Sequence, residues 1–379
     1  MKWNLNESNF TFKDRLKICS FFLNPKKFWT MADEVIKFER KMANYVGVKH
    51  AVFVSNGSTA NTIVAMYLKD QFKGSKKNIM VFPSTTWITS VSPFIREGFE
   101  PHFIDVNPQN LSIDLESLEK YLKRNGKKIA CVFITSLLGF SPDVDTIERL
   151  RKKYGVKIML DNCESTFTNH KSRNISSYYT STTSTYFGHH LQSVEGGFLF
   201  TNSDYEYEYF LMARNHGMTR SLTQNKEHYL NDDVDSRFDF NLLGNNFRNT
   251  NINAFIGQLD FKRVEKYADT RKKMYDLFYE GLAWKNASSV KRKDGDVPFS
   301  IPLIFQTKER CEQFKVSCQV NGIETRPIIS GNLLRQKCLI GYGDPLQYPN
   351  SEILHHNGVY VGLHAKIAEE HIRLLLSIL

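Results

Sequence analysis

The sequence has little cysteine, and what it has is poorly spaced for metal. Six cysteines occur in 379 residues, at positions 19, 131, 163, 311, 318 and 338. None forms a CxxC pair, and the nearest two, Cys311 and Cys318, lack zinc-site spacing, so no metal is expected. Scattered thiols of this kind read as reduced cysteines of a cytoplasmic protein. Long apolar runs are also missing. Nothing approaches the ~18 to 20 consecutive apolar residues that cross a bilayer, and the first residues mix Asn, Glu and Lys without a signal-type core. Blocks of Lys and Arg are absent too. The formal net charge is +10, but the basic residues are dispersed, which disfavours a nucleic-acid arm and leaves a field suited to a phosphorylated small substrate. Internal repeats and low-complexity tracts are lacking as well.

What is present is a globular composition, 41% hydrophobic and 24% charged, in a chain long enough for two or three domains. Residues 1–30 read as an N-terminal arm with a short amphipathic piece at 16–23. Residues 31–45 space Val35, Phe38, Met42 and Tyr45 as a helical stripe. Strands are then predicted at 51–54, 79–82, 101–104, 129–134 and 156–160. Helices are predicted between them at 58–68, from about 88, at 115–124 and at 144–154. That alternation predicts an α/β domain with a mostly parallel sheet. Further on come a polar, exposed excursion at 223–239 and a long helical region at 252–282. A strand near 298–305, a helix at 308–321 and a last helix from about 367 follow. The expected division is a large α/β domain at 31–255 and a smaller α+β domain at 256–379.

Parallel sheets bind ligands at the carboxyl ends of their strands, so residues just past each strand are the candidates. Ser55-Asn-Gly-Ser-Thr-Ala-Asn61 follows the first strand. Gly57 and Ser58 open the next helix there, either as a phosphate cradle or as an ordinary capped turn. Trp87 leaves the second strand, placed to stack on a planar ring or to fill the core. Asp161-Asn-Cys-Glu164 follows the fifth, and an acid directly after a buried strand needs a partner. The stretch 184–197, Ser-Thr-Tyr-Phe-Gly-His-His-Leu-Gln-Ser-Val-Glu-Gly-Gly, reads as a tight loop between two strands. Its His189-His190 pair, taken alone, fits a surface or satisfied core feature as well as a site.

Taken together, these segments resemble the DegT/DnrJ-like aminotransferases, the sugar-modifying branch of the fold-type I pyridoxal phosphate enzymes. The likeness runs from about residue 30 to the end. It includes Ser184 five residues before the active-site position, Glu195-Gly-Gly197, His216-Gly-Met-Thr-Arg220, Arg326-Pro-Ile-Ile-Ser-Gly-Asn332 and Asn357-Gly-Val-Tyr-Val-Gly362. It implies the aminotransferase-like fold, with a seven-stranded-type sheet in the large domain. Where ordinary members carry the lysine that forms a Schiff base with the cofactor, this chain has His189. That departure is similar to the histidine-containing sugar 3-dehydratases, and most similar to those acting on GDP-4-keto-6-deoxymannose. Cysteine ligands for an iron–sulfur cluster, found near the counterpart of His216 in related CDP-sugar enzymes, are missing, so no Fe–S cluster is expected.

The resemblance implies pyridoxal or pyridoxamine 5′-phosphate held noncovalently. It also implies a nucleotide-linked 4-keto-6-deoxy sugar that loses its C-3 hydroxyl, and L-glutamate as amine donor. His189 would be the catalytic base, competent near neutrality because a free imidazole titrates near ~6.5. Asp161 would pair with the ring nitrogen, Trp87 would stack on the ring, and Glu164 would reach its oxygen or edge. Gly57, Ser58 and Ser184 would hold the phosphate, completed by Asn246 from the other subunit of a homodimer. His216, Arg220, Arg248 and Arg326 are candidates for substrate or glutamate anions, or for structural salt bridges. Two rival readings are a nucleotide-sugar aminotransferase, which would need an amine that loop 184–197 does not provide, and a noncatalytic protein on the same fold. Retention of Gly57, Trp87, Asp161 and Ser184 argues against the second.

Overall fold

A computed structural model describes residues 2–222, 226–231, 233–282 and 286–379. Its centre is a seven-stranded sheet. In spatial order the strands are His50–Val54, Gly197–Thr201, Thr180–Ser184, Ile158–Asp161, Ile129–Thr135, Ile79–Pro83 and Glu100–Ile104. Only Gly197–Thr201 runs against the rest. The strand Ile129–Thr135 is buried at every position, as expected for a parallel sheet covered on both faces.

Side-chain alternation sends these strands into different cores. Met80, Phe82, Cys131, Phe133 and Met159 pack on one face with helices Gly57–Gln71 and Asp204–Arg214. Val81, Val132, Ile134, Ile158 and Leu160 meet helices Leu115–Asn125 and Val144–Tyr154 on the other. Those last two helices begin at Asp114 and Asp143, whose carboxylates accept from the amides of Ser117 and Thr146, the usual cap for helix-start N–H groups.

A second sheet, antiparallel throughout, has the order Ala287–Ser288, Ser300–Phe305, Gly358–Gly362, Thr325–Pro327. Its core draws on Met274, Tyr275 and Phe278 from helix Val264–Gly281 and also takes in Trp3. The continuous helix expected at 252–282 is in fact two, Asn251–Phe261 and Val264–Gly281. The first packs with the large sheet through Ala254, and the second starts in that same cluster at Val264 before passing to the small-sheet core at Met274, Tyr275 and Phe278, so the change of core falls within the second helix. The helix expected from about residue 88 is also interrupted. A 3-10 turn, Ile88–Ser90, precedes a short helix, Ser92–Arg96, that carries Pro93 in its first turn. The excursion at 223–239 falls partly outside the described residues. No helix among the described residues is long and apolar enough to cross a membrane.

Candidate active site

One cavity of about 450 Å³ opens at the carboxyl ends of the parallel strands. Gly57, Ser58, Trp87, Asp161, Glu164, Ser184 and His189 all line it. Asn246, His216, Arg220, Arg248 and Arg326 do not border it in this chain.

The turn at its floor is shaped by close backbone contact. Asn56 caps helix Gly57–Gln71, its side chain accepting from the Thr59 amide. The first amides of that helix, those of Gly57 and Ser58, have no partner inside the helix. A Cβ on Gly197 would lie 2.5 Å from the carbonyl carbon and oxygen of Asn56, and one on Gly57 would lie 2.8 Å from Cys163 Sγ. Gly197 of the motif therefore lets the antiparallel strand press against the cradle turn. Ser184 faces the same turn. Its hydroxyl accepts from the Tyr186 amide at 3.2 Å, which leaves its own hydrogen to donate. Ser58 Oγ instead donates to Thr89 Oγ1 at 2.9 Å, so Ser58 can serve the cradle only through its amide.

Asp161 is nearly inaccessible and tightly oriented. Its Oδ2 accepts from Asn61 Nδ2 at 2.8 Å and from Ser90 Oγ at 2.7 Å, and its Oδ1 from the Cys163 amide at 3.1 Å. Asn61 is held in turn by the Thr182 hydroxyl at 2.6 Å. Trp87 is 54% exposed at the rim, which excludes the core-filler alternative.

The histidine pair divides into two roles. His190 is buried and donates from Nε2 to the Val297 carbonyl at 2.6 Å, which holds it in the core, although its Nδ1 has no partner among the described residues. His189 reaches the cavity, with its ring 6.0 Å from those of Phe299 and Tyr186. Its Nδ1 is buried and has no hydrogen-bond partner among the described residues. Burial pushes its pKa down to about 4, against the opposing pull of the Asp161 carboxylate. The imidazole is therefore neutral across a wider range than a free histidine. Glu164 moves the other way. Burial, supported by the Asp161 charge, raises its pKa to about 8 although Oε2 accepts from the Leu138 amide at 2.9 Å. Near neutrality the site thus presents an uncharged base and an uncharged acid.

The remaining candidates lie elsewhere on the surface. Asn246 is exposed and bridges to Asn215, beside His216 and Arg248. His216 has φ of 62° and donates its amide to Asn245 O at 2.8 Å. Arg248 Nη1 donates to Asn215 Oδ1 at 2.9 Å. Arg220 is exposed. Arg326 pairs with Glu324 at 2.9 Å on the small sheet, which fits the salt-bridge alternative.

Sequence reasoning missed Asn6, Phe299 and Tyr360, which also line the cavity. Tyr360 lies within the 357–362 motif and could have been singled out there. Asn6 and Phe299 belong to no motif.

The family model described as DegT/DnrJ/EryC1/StrS aminotransferase family matches residues 17–379. The chain belongs to that family. Among curated proteins, GDP-4-keto-6-deoxy-D-mannose 3-dehydratase of Yersinia pseudotuberculosis is 29% identical over 365 residues, covering 93% of this chain and 92% of the relative. The Escherichia coli GDP-4-keto-6-deoxy-D-mannose 3-dehydratase with bound hydrated pyridoxal phosphate superposes with a TM-score of 0.92 at 26% identity. It covers all of this chain and 99% of that one. A structure of the same enzyme type with a trapped pyridoxal phosphate–glutamate geminal diamine matches at the same TM-score and identity over the full length of both chains. DegT/DnrJ/EryC1/StrS membership supplies a test of fit for the cofactor. The free-amide turn, the oriented Asp161, the rim Trp87 and the unpartnered His189 Nδ1 fit pyridoxal phosphate, and no lysine lines the cavity among the described residues.

Proposed function

We propose that the protein is a 3-dehydratase that removes the C-3 hydroxyl of a nucleotide-linked 4-keto-6-deoxy sugar, GDP-4-keto-6-deoxymannose. One observation carries the reading. At the position where a covalent attachment would need an amine, the cavity holds the neutral imidazole of His189.

When bound, pyridoxamine phosphate supplies an amine for the C-4 ketone and a ring that spreads negative charge as the C-3 hydroxyl leaves. The Gly57 and Ser58 amides and the Ser184 hydroxyl would hold its phosphate at the helix start. Asp161, fixed by Asn61 and Ser90, would pair with the ring nitrogen, and Trp87 would stack on the ring. Glu164, neutral because its pKa is about 8, would donate to the ring oxygen. His189 takes the proton whose removal drives the C–O bond to break. Across a turnover, sugar and L-glutamate become a 3,6-dideoxy-4-keto sugar, 2-oxoglutarate and ammonia, and the deoxysugar serves a surface polysaccharide. The enzyme works in the cytoplasm as a homodimer, with the exposed Asn246 completing the phosphate cradle of the partner subunit. His216, Arg220 and Arg248, on the same surface as Asn246, meet substrate anions across that interface.

The test is product mass after incubation with pyridoxal phosphate, L-glutamate and GDP-4-keto-6-deoxymannose. A ketone lacking one oxygen is expected. An amino sugar would replace this reading with an aminotransferase.

A further inference from the structure

Residues 2–9 do more than lead into the fold. Trp3 is buried, donates its amide to Gly322 O at 2.9 Å and its indole N–H to Gly362 O at 2.8 Å, and accepts from the Glu324 amide. Leu5 lies so close that a Cβ on Gly362 would be 2.2 Å from its carbonyl oxygen. This end of the segment is thus tied to the small sheet. Its other end is tied to the loop carrying His189. Gln192 Nε2 donates to Glu7 O at 3.1 Å and to Phe187 O at 2.9 Å, and Gln192 Oε1 accepts from the Asn9 amide at 3.3 Å. Between the two anchors stands Asn6, at the cavity wall. The surrounding donors and acceptors set its amide orientation, with the nitrogen donating to Gly188 O at 3.1 Å and to Leu5 O at 3.0 Å.

Gly188 immediately precedes His189, and among the described residues the His189 side chain has no Nδ1 partner to aim it. Its direction must come from the loop backbone and from the rings around it. We infer that the N-terminal strap is part of the active site, and that Asn6 is a positioning residue that holds the Gly188 carbonyl and thereby the attitude of His189. The strap bridges the small sheet and the His189 loop, so the alignment of the base depends on how the two sheets sit together. The effect on turnover rests on the dehydratase reading. The effect on the loop does not.

The test uses full-length Asn6→Ala and Asn6→Asp, with Gln192→Ala to release the second tie. Amide hydrogen exchange is followed across residues 186–191, with and without pyridoxal phosphate, alongside kcat, KM, Tm and cofactor affinity. Expected are faster exchange in that loop and a kcat lowered ~10-fold or more, since small misplacements of a reacting group are costly. KM for the sugar, Tm and cofactor affinity should stay near wild type. Asn6→Asp should be no better than Asn6→Ala, because a carboxylate cannot donate to the Gly188 carbonyl. Wild-type exchange and kcat in Asn6→Ala would overturn the inference, as would a loss of kcat matched by a loss of folded protein. If the wild-type enzyme proves not to dehydrate the sugar while Asn6→Ala still loosens the loop, the proposed reaction falls and the strap stands.

Discussion

A base buried to a pKa of about 4 should leave a clear mark on the pH profile. At about pH 5.5 a free imidazole titrating near ~6.5 is neutral in roughly one molecule in ten. With a pKa of about 4, His189 is neutral in nearly all. If His189 accepts the proton in the reaction, kcat/KM at about pH 5.5 should keep most of its plateau value instead of falling ~10-fold. Phe299, 6.0 Å away ring to ring and almost fully buried, is part of the wall that excludes water. Phe299→Ala, or the milder Phe299→Leu, should admit water and move the pKa up towards the free value. Full relief would be worth ~3 kcal/mol, at 1.36 kcal/mol per unit, and losing one wall should recover about one unit of it.

The linkage has a definite sign. Between about 4 and ~6.5 the unfolded chain binds a proton here that the folded chain does not, so His189 makes stability rise with pH through that window. Phe299→Ala should flatten this rise. Histidine-selective 15N NMR on cofactor-free protein reads the pKa directly, and the acid limb of kcat/KM reads it in catalysis. A wild-type pKa near ~6.5 would refute the argument, and so would a Phe299 variant whose pKa falls further.

Glu164→Gln should keep a neutral side chain at the same place, so activity near neutrality should survive while any alkaline limb near pH 8 disappears from the profile. Because the folded pKa of about 8 exceeds the unfolded value, this carboxyl costs stability as pH rises between the two, and denaturation of Glu164→Gln should show a smaller loss of stability from mildly acid pH up to about pH 8. Gly197→Ala would place its methyl 2.5 Å from the Asn56 carbonyl. Chemical denaturation should show a loss of ~1–3 kcal/mol from overpacking, and cofactor titration should show weakened binding, whereas wild-type affinity would mean that the cradle turn moves freely. His189→Lys should gain a borohydride-reducible link to pyridoxal phosphate, visible by mass spectrometry, and lose dehydration. A lysine variant that deoxygenates sugar at the normal rate would remove His189 from its assigned role.

Much of the seven-stranded sheet and its covering helices was legible because their signals are local. Apolar runs of strand length, separated by amphipathic stretches that start at Asn56, Asp114 and Asp143, specify alternating strands and capped helices. Residues at or just past the ends of parallel strands must share one edge of the sheet, so Gly57, Trp87 and Asp161 could be grouped from order alone, whereas Ser184 entered only through the family resemblance. The break at Lys262–Arg263 was not legible, since both flanking helices carry acceptable helical patterns and no proline or glycine marks the junction.

By itself the sequence determined that an imidazole stands where the family's lysine would be, together with the glycines and the acid around it. Those are identities, and no packing alters them. The tertiary structure decided what that imidazole is. Burial beside Phe299 lowers its pKa and burial of Glu164 raises that of the acid, because both environments penalise charge. It also brought Asn6 and Tyr360, from near the two ends of the chain, to the same cavity. Contacts of that separation leave no periodicity or spacing in the sequence and exist only once the two sheets have packed.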